Sequence, residues 1–284
     1  MYENVLVAFD NSEFSRAALR ESAHWVRKHG GRITLVNAVY FDEEEFGIAP
    51  DQREKRLEFG KAMCLQSRQT VASEFGLEVE SLVCEGEASE VIVDIAGEKK
   101  ADLIAMGTHG RKGLKRLIMG SVTSGVLVHS PVDVIIVKKP CDSCTGAYPA
   151  ILLPFDGSDF SKKALQRAGQ LAKISGSVIT VLYVIPRYEE MIGFFRTDSI
   201  KKSLRQEADK IVEGAKAIAG QGVVINTVIE EGQTGEEIIK AASRLKSDLI
   251  VMGTYGWRGV NKAIMGSTTE RVIAGASCPV LAVK

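Results

Sequence analysis

Short apolar runs alternate with longer amphipathic stretches along the whole chain. NVLVAF (4–9) reads as a buried strand, and Ser12 or Ser15 can cap a helix that runs to His29, where Gly30-Gly31 stops it. ITLVNAV (33–39) is a second strand, and a charged helical stretch over about 51–75 ends at Gly76. LEVESLV (77–83) alternates apolar and polar positions, as a strand with one exposed face does. Ser89 opens a helix to about Lys100, DLIAM (102–106) is a fourth strand, a helix spans Ser121 to His129, and VDVIIV (132–137) is a fifth strand. Strands alternating with helices predict a parallel sheet with right-handed crossovers.

The pattern then starts again. An offset of 146 residues aligns the two halves without a net gap: Phe9-Asp10 falls on Phe155-Asp156, Ser12 on Ser158, and Asp102-Leu103-Ile104 on Asp248-Leu249-Ile250. So long a period marks a duplicated domain, not a solenoid unit. The expected organisation is a first domain over 1–138, a linker over 139–146 with the sequence KPCDSCTG, and a second domain over 147–284.

The most distinctive stretch is MGTHGRKGLKRLIMGS (106–121), which returns as MGTYGWRGVNKAIMGS (252–267) with every glycine in register. Glycine inside a chain costs backbone entropy, so repeated glycines suggest that the backbone itself is used. In an open parallel sheet, ligands bind beyond the carboxyl ends of the strands, where the strand order reverses. If strands 1 and 4 are neighbours at that reversal, Asp10 and Gly107 flank one crevice. Gly107 and Gly110 then permit sharp turns and close approach of a ligand, and Gly120-Ser121 leads into a helix whose amino end suits a phosphate. Ser121 and Thr123 add hydroxyl donors. Asp10 and Asp156 are suited to hold Mg²⁺ through water, to bind sugar hydroxyls, or to serve the helix N-cap beside Ser12 and Ser158.

Charge narrows the partners. Lys+Arg and Asp+Glu both number 36, which gives no reason to expect nucleic acid or a membrane surface. No apolar run approaches the roughly 20 residues of a membrane helix, and MYENVLVAFDNS lacks the pattern of a signal peptide. Five scattered cysteines, at 64, 84, 141, 144 and 278, fit a reducing cytoplasm.

The pattern G-x2-G-x9-G-S at 107–121 and 253–267, together with the strand-1 aspartate in AFDNSEFS and PFDGSDFS, resembles the universal stress protein family in its tandem form. The resemblance covers essentially all of both halves. It implies two similar open parallel five-stranded α/β sheets of order 3-2-1-4-5, with helices on both faces, in a Rossmann-like adenine-nucleotide fold. In the subgroup with these glycines it also implies ATP binding. Carried over by position, Gly107, Gly110, Gly120, Ser121, Val122 and Thr123 surround ribose and phosphates, Asp10 lies at the nucleoside side, and Ala38 offers backbone to adenine. The second set is Asp156, Val184, Gly253, Gly256, Gly266, Ser267, Thr268 and Thr269. Trp257 in place of Arg111 and Thr268 in place of Val122 put equal affinity of the two sites in question. Arg111, Lys112, Lys115 and Arg116, against only Arg258 and Lys262, predict the tighter triphosphate site in the first half.

Neither the Walker loop nor the dinucleotide fingerprint is present. His109 faces Tyr255 in the other copy, so no acid–base residue beside the motif is shared and weak or no turnover is expected. Cys141-x-x-Cys144 provides two thiolates where a structural zinc site needs four ligands, and Asp42–Glu45 reads as a solvated loop. The reading is a cytoplasmic ATP-binding stress-response protein, assisted by Mg²⁺. It is expected to form an internal pseudo-dimer through strands 132–137 and 279–283, an edge that a second chain can extend into a homodimer. The rivals are a slow ATPase or phosphotransferase using Ser121 or Ser267, and an interaction scaffold with vestigial sites.

Overall fold

The computed structural model describes residues 1–41, 51–108, 119–138, 145–186, 198–219, 222–254 and 266–284. The chain divides into two compact units, Met1–Ala147 and Tyr148–Lys284. The first contains β1 (Asn4–Ala8), α1 (Glu13–His29), β2 (Arg32–Val39), α2 (Asp51–Phe75), β3 (Val79–Glu85), α3 (Ala88–Glu98), β4 (Leu103–Gly107), α4 (Ser121–His129) and β5 (Asp133–Val137). The second contains β6 (Ala150–Pro154), α5 (Asp159–Ser175), β7 (Val178–Pro186), α6 (Asp198–Ala219), β8 (Val224–Gly232), α7 (Thr234–Arg244), β9 (Leu249–Gly253), α8 (Ser267–Gly275) and β10 (Val280–Val283).

Parallel pairing gives the order β3-β2-β1-β4-β5 in the first unit. The second follows the same scheme, β8-β7-β6-β9-β10. The fold is α/β with helices on both faces. Right-handed crossovers place α1 and α2 on one face and send α3 and α4 back across the other, and each pair packs together. Sandwiched between those layers, β4 and β5 are buried at every position and read as continuous apolar runs. Leu6, Ile33, Leu35, Ile104 and Ile136 form the centre of the first core.

Local chemistry sets the boundaries. Ser12 is the N-cap of α1: its hydroxyl accepts from the Ser15 amide at 3.2 Å, and Ser158 does the same for Ser161 at 3.2 Å in α5. Gly30, at φ 81°, closes α1. The third strand begins later than its alternation predicts, at Val79, because its span is matched to β2 from Ile33 to Val39. The helix expected to open at Ser89 starts at Ala88, with Glu87 in the cap position and no side-chain cap; the Ser89 hydroxyl donates instead to the Glu87 carboxylate at 3.3 Å. Strand 4 starts one residue after Asp102. That carboxylate accepts from the amides of Glu3 and Asn4 at 2.8 and 3.2 Å and ties down the start of β1. Asp248 accepts from the Ala150 amide at 2.9 Å in the second unit.

Candidate functional site

The order reverses between β1 and β4, which pair directly with Val7 beside Ala105. Both strands therefore release the chain at the same end, Asp10 from β1 and Thr108 from β4. Asp10 Oδ1 accepts from the Ser12 amide at 3.0 Å, across Asn11 at φ 63°. Asp156 repeats the turn with Ser158 at 3.0 Å, across Gly157 at φ 80°. Asparagine and glycine are the residues that tolerate this left-handed step. Each aspartate thus shapes the turn that presents the first turn of α1 or α5.

The glycine segment is closed by hydrogen bonds at its root. The Gly120 amide donates to the Thr108 carbonyl at 3.1 Å. Buried Thr123 donates its hydroxyl to the carbonyls of Gly107 and Thr108, at 3.0 and 3.3 Å. Gly266 and Thr269 make the same contacts to Thr254 and Gly253. Sequence reasoning treats the Thr123 hydroxyl as a ligand donor; in the structure it braces the turn. The need for glycine at Gly107 is likewise internal, since a Cβ there would lie 2.5 Å from Phe14 Cβ and 2.9 Å from the Phe14 carbonyl carbon. Gly253 stands in the same relation to Phe160.

Among the described residues, what remains open is the amino end of α4. Gly120 occupies its N-cap at φ −62°, ψ 148°, with no side-chain bond to the first turn, and Gly266 does the same for α8. Ser121 and Ser267 are exposed, and Val122 and Thr268 are half-buried. An uncapped first turn leaves backbone N–H donors without intrahelical partners.

The other wall is β2. The Phe9 amide bonds to the Val36 carbonyl at 2.8 Å, so Val36 presents its backbone to the β1 side. Two residues on, Ala38 presents its backbone to the same side, where β1 has already turned away at Asp10. Leu182 and Val184 have the same relation to Phe155. Sequence reasoning missed Asn37, a polar residue inside an apolar strand. It is buried, and its Nδ2 donates to the Phe9 carbonyl at 2.7 Å, fixing the root of the Asp10 turn. Beside Ala38 in register lies Cys84, whose thiol is pushed up by burial and then by the charge of Glu98.

Gly110, Gly256, His109, Trp257 and the basic residues of the glycine segments lie outside the described residues. So do Cys141, Cys144 and Asp42–Glu45. A cavity of about 290 Å³ lies at the opposite end of the first unit, lined by Asn4, Arg32, Thr34, Glu80 and Lys99 among others, away from the glycine segment.

The sequence profile of the Universal stress protein family matches residues 1–138 and again 147–284. The chain belongs to the universal stress protein family. A universal stress protein of Methanocaldococcus jannaschii is 38% identical over 141 residues, covering 48% of this chain and 82% of the relative. One from Mycolicibacterium smegmatis is 24% identical over 302 residues, covering 99% of this chain and 96% of its own. Among solved structures, a universal stress protein from Archaeoglobus fulgidus covers 100% of this chain and 99% of its own, at a TM-score of 0.72 and 23% identity, and shares the fold. No described helix is long and apolar enough to cross a membrane.

Proposed function

We propose that this universal stress protein binds ATP at the carboxyl end of each unit and acts as a nucleotide-dependent regulatory or interaction module. One observation carries the reading: in both units an uncapped helix start, the open backbone of Ala38 or Val184, and an aspartate turn converge on the reversal point of the sheet. Adenine runs along β2 or β7, ribose hydroxyls meet Asp10 or Asp156, and the phosphates lie on the first turn of α4 or α8. Gly110, Gly120, Ser121 and Val122 form one cradle, braced by Gly107 and Thr123, and Gly256, Gly266, Ser267 and Thr268 the other, braced by Gly253 and Thr269. Mg²⁺ accompanies the phosphates, held chiefly by them and by water. Cys64, Cys84 and Cys278 are all free, in keeping with a reducing cytoplasm. Domains 1–138 and 147–284 form a pseudo-dimer through their last strands, and a second chain extends it. Cross-linking with mass spectrometry tests that arrangement, and the absence of links between 132–138 and 279–284 rejects it.

Calorimetry tests the binding. The full chain takes up ATP with Mg²⁺, and Gly110→Val with Gly256→Val abolishes uptake while the far-UV dichroism is unchanged. Equal ATP affinity in that folded variant rejects the site. Steady release of ADP at the ordinary enzymatic rate of ~1–10³ per second replaces the regulatory reading with an enzymatic one.

A further inference from the structure

We propose that Arg271 reads the phosphate chain in the second unit, and that the first unit lacks this reader, with Gly125 in its place and Glu87 where the second unit has Gln233. The inference rests on the nucleotide-binding reading above.

The duplication supplies an internal control. Ser89 and Gly125 of the first unit correspond to Gly235 and Arg271 of the second, and Glu87 corresponds to Gln233. In the first unit the small residue sits on α4: a Cβ at Gly125 would lie 2.7 Å from Ser89 Cβ and 2.8 Å from its Oγ. In the second unit the small residue has moved to the other helix. A Cβ at Gly235 would lie 2.8, 3.1 and 3.2 Å from Cδ, Cγ and Cβ of Arg271. The arginine stem is therefore seated across the first turn of α7 in space that Gly235 leaves. Nη1 donates to Gln233 Oε1 at 2.8 Å and fixes the guanidinium.

Its position follows from helical spacing. Arg271 is four residues beyond Ser267, on the same face of α8, and a helical side chain leans toward the amino end. Arg271 thus stands one turn along α8 from the exposed serine on which the phosphates are placed, with its fork bonded to Gln233. It is also open. Arg271 is exposed, and among the described residues no carboxylate pairs with it. Glu237 is bonded to Lys240 at 2.8 Å, and Glu236 and Glu270 are exposed and make no bond to Arg271. Helix stability does not call for a cation here, because the amino ends of helices favour acids. A planar fork with unused donors matches phosphate oxygens in pairs. In the first unit the position of Gln233, the partner of the fork, holds Glu87, whose carboxylate repels them. This opposes the expectation from the loop lysines and arginines that the first site is the tighter.

Calorimetric titration of the full chain with ATP and, separately, adenosine tests the assignment. Arg271→Gln weakens ATP at one of the two sites about three- to tenfold and leaves adenosine unchanged. Arg271→Lys keeps the charge and retains part of the preference. The transplant Glu87→Gln, Ser89→Gly, Gly125→Arg strengthens ATP at the other site by a similar factor, and added salt shrinks both effects. An unchanged ATP-to-adenosine ratio in Arg271→Gln overturns the inference. So does a parallel loss of both ligands, which would make Arg271 a mere brace between α7 and α8. If the native chain takes up neither ligand, the nucleotide reading itself fails first.

Discussion

Gly107→Ala separates two reasons for a glycine at the end of β4. The backbone there does not need glycine, because Gly107 is absent from the positive-φ residues. On conformational grounds alone, alanine would stabilise by about 0.4–1 kcal/mol through the unfolded chain. Packing says the opposite. The new Cβ would sit 2.5 Å from Phe14 Cβ, roughly 1 Å short of ordinary carbon–carbon contact. Its next neighbours, the Phe14 carbonyl carbon at 2.9 Å and the Ser15 amide nitrogen at 3.1 Å, are backbone and cannot swing aside. Pushing α1 off β4 costs about 1–3 kcal/mol. At about 2–4 °C per kcal/mol for a unit of this size, the first unit melts several degrees earlier. Gly253→Ala is milder, since its nearest contact is Phe160 Cβ at 2.8 Å and the backbone atoms lie at 3.0 Å. Urea unfolding followed by far-UV dichroism, with buried Trp25 reporting on the first unit, measures both. A Gly107→Ala protein as stable as the native chain, or more so, would refute the packing argument and leave ligand approach as the reason for the glycine.

Three further outcomes follow from named contacts. Thr123→Val leaves the Gly107 and Thr108 carbonyls short of a buried donor and lowers stability by about 1–3 kcal/mol; Thr269→Val costs less, its bonds being longer at 3.2 and 3.4 Å. Urea midpoints decide, and equal stability of the Thr123→Val and native proteins argues against the brace. His24 packs edge-on against Phe75 with ring centres 4.9 Å apart, and burial, followed by Arg27 and Arg20, holds its pKa below the ordinary 6.5. The unfolded chain then binds a proton that the folded chain resists, so stability falls as pH drops below about 6.5. His24→Gln, the residue found at position 170 of the second unit, removes that share of the loss; identical pH profiles would disprove it. Burial pushes the Cys278 thiol up to about 11, so iodoacetamide near neutral pH leaves it intact in the folded protein, as peptide mass spectrometry will show. Rapid alkylation there would contradict its burial.

Element type was legible because local signals decide it. The helix Ser121–His129 begins and ends where expected, since Gly120-Ser121 punctuates its start and Ser130-Pro131 its end. Contacts between distant residues were not legible. Asp102 grips the Glu3 amide across 99 residues of sequence, and nothing in the local pattern of DLIAM announces it. The span of β3 was missed because an edge strand takes its length from its neighbour, here β2. At the site, the adjacency of Asp10 and the glycine segment follows from topology once β1 and β4 are neighbours. The role of Asn37 required knowing which side of β2 faces the departing β1.

The repeated glycines do not all testify to a ligand. Gly107 and Gly253 are explained by Phe14 and Phe160, so their recurrence is what two copies of one packing solution would show anyway. Gly120 and Gly266 are different. Their φ values of −62° and −64° are open to any residue, so backbone strain does not select glycine there. This chain also has a ready answer for a helix start, the serine caps of α1 and α5. At α4 and α8 that answer is withheld in both copies, with the first hydroxyl placed one step inside the helix at Ser121 and Ser267. A serine or aspartate at the cap would satisfy the first-turn donors and gain a few tenths of a kcal/mol over glycine. Giving up that cap twice, at the point where the strand order reverses, fits a group that arrives from outside carrying negative charge. The two bare helix starts therefore point to a nucleotide more than the number of glycines around them does.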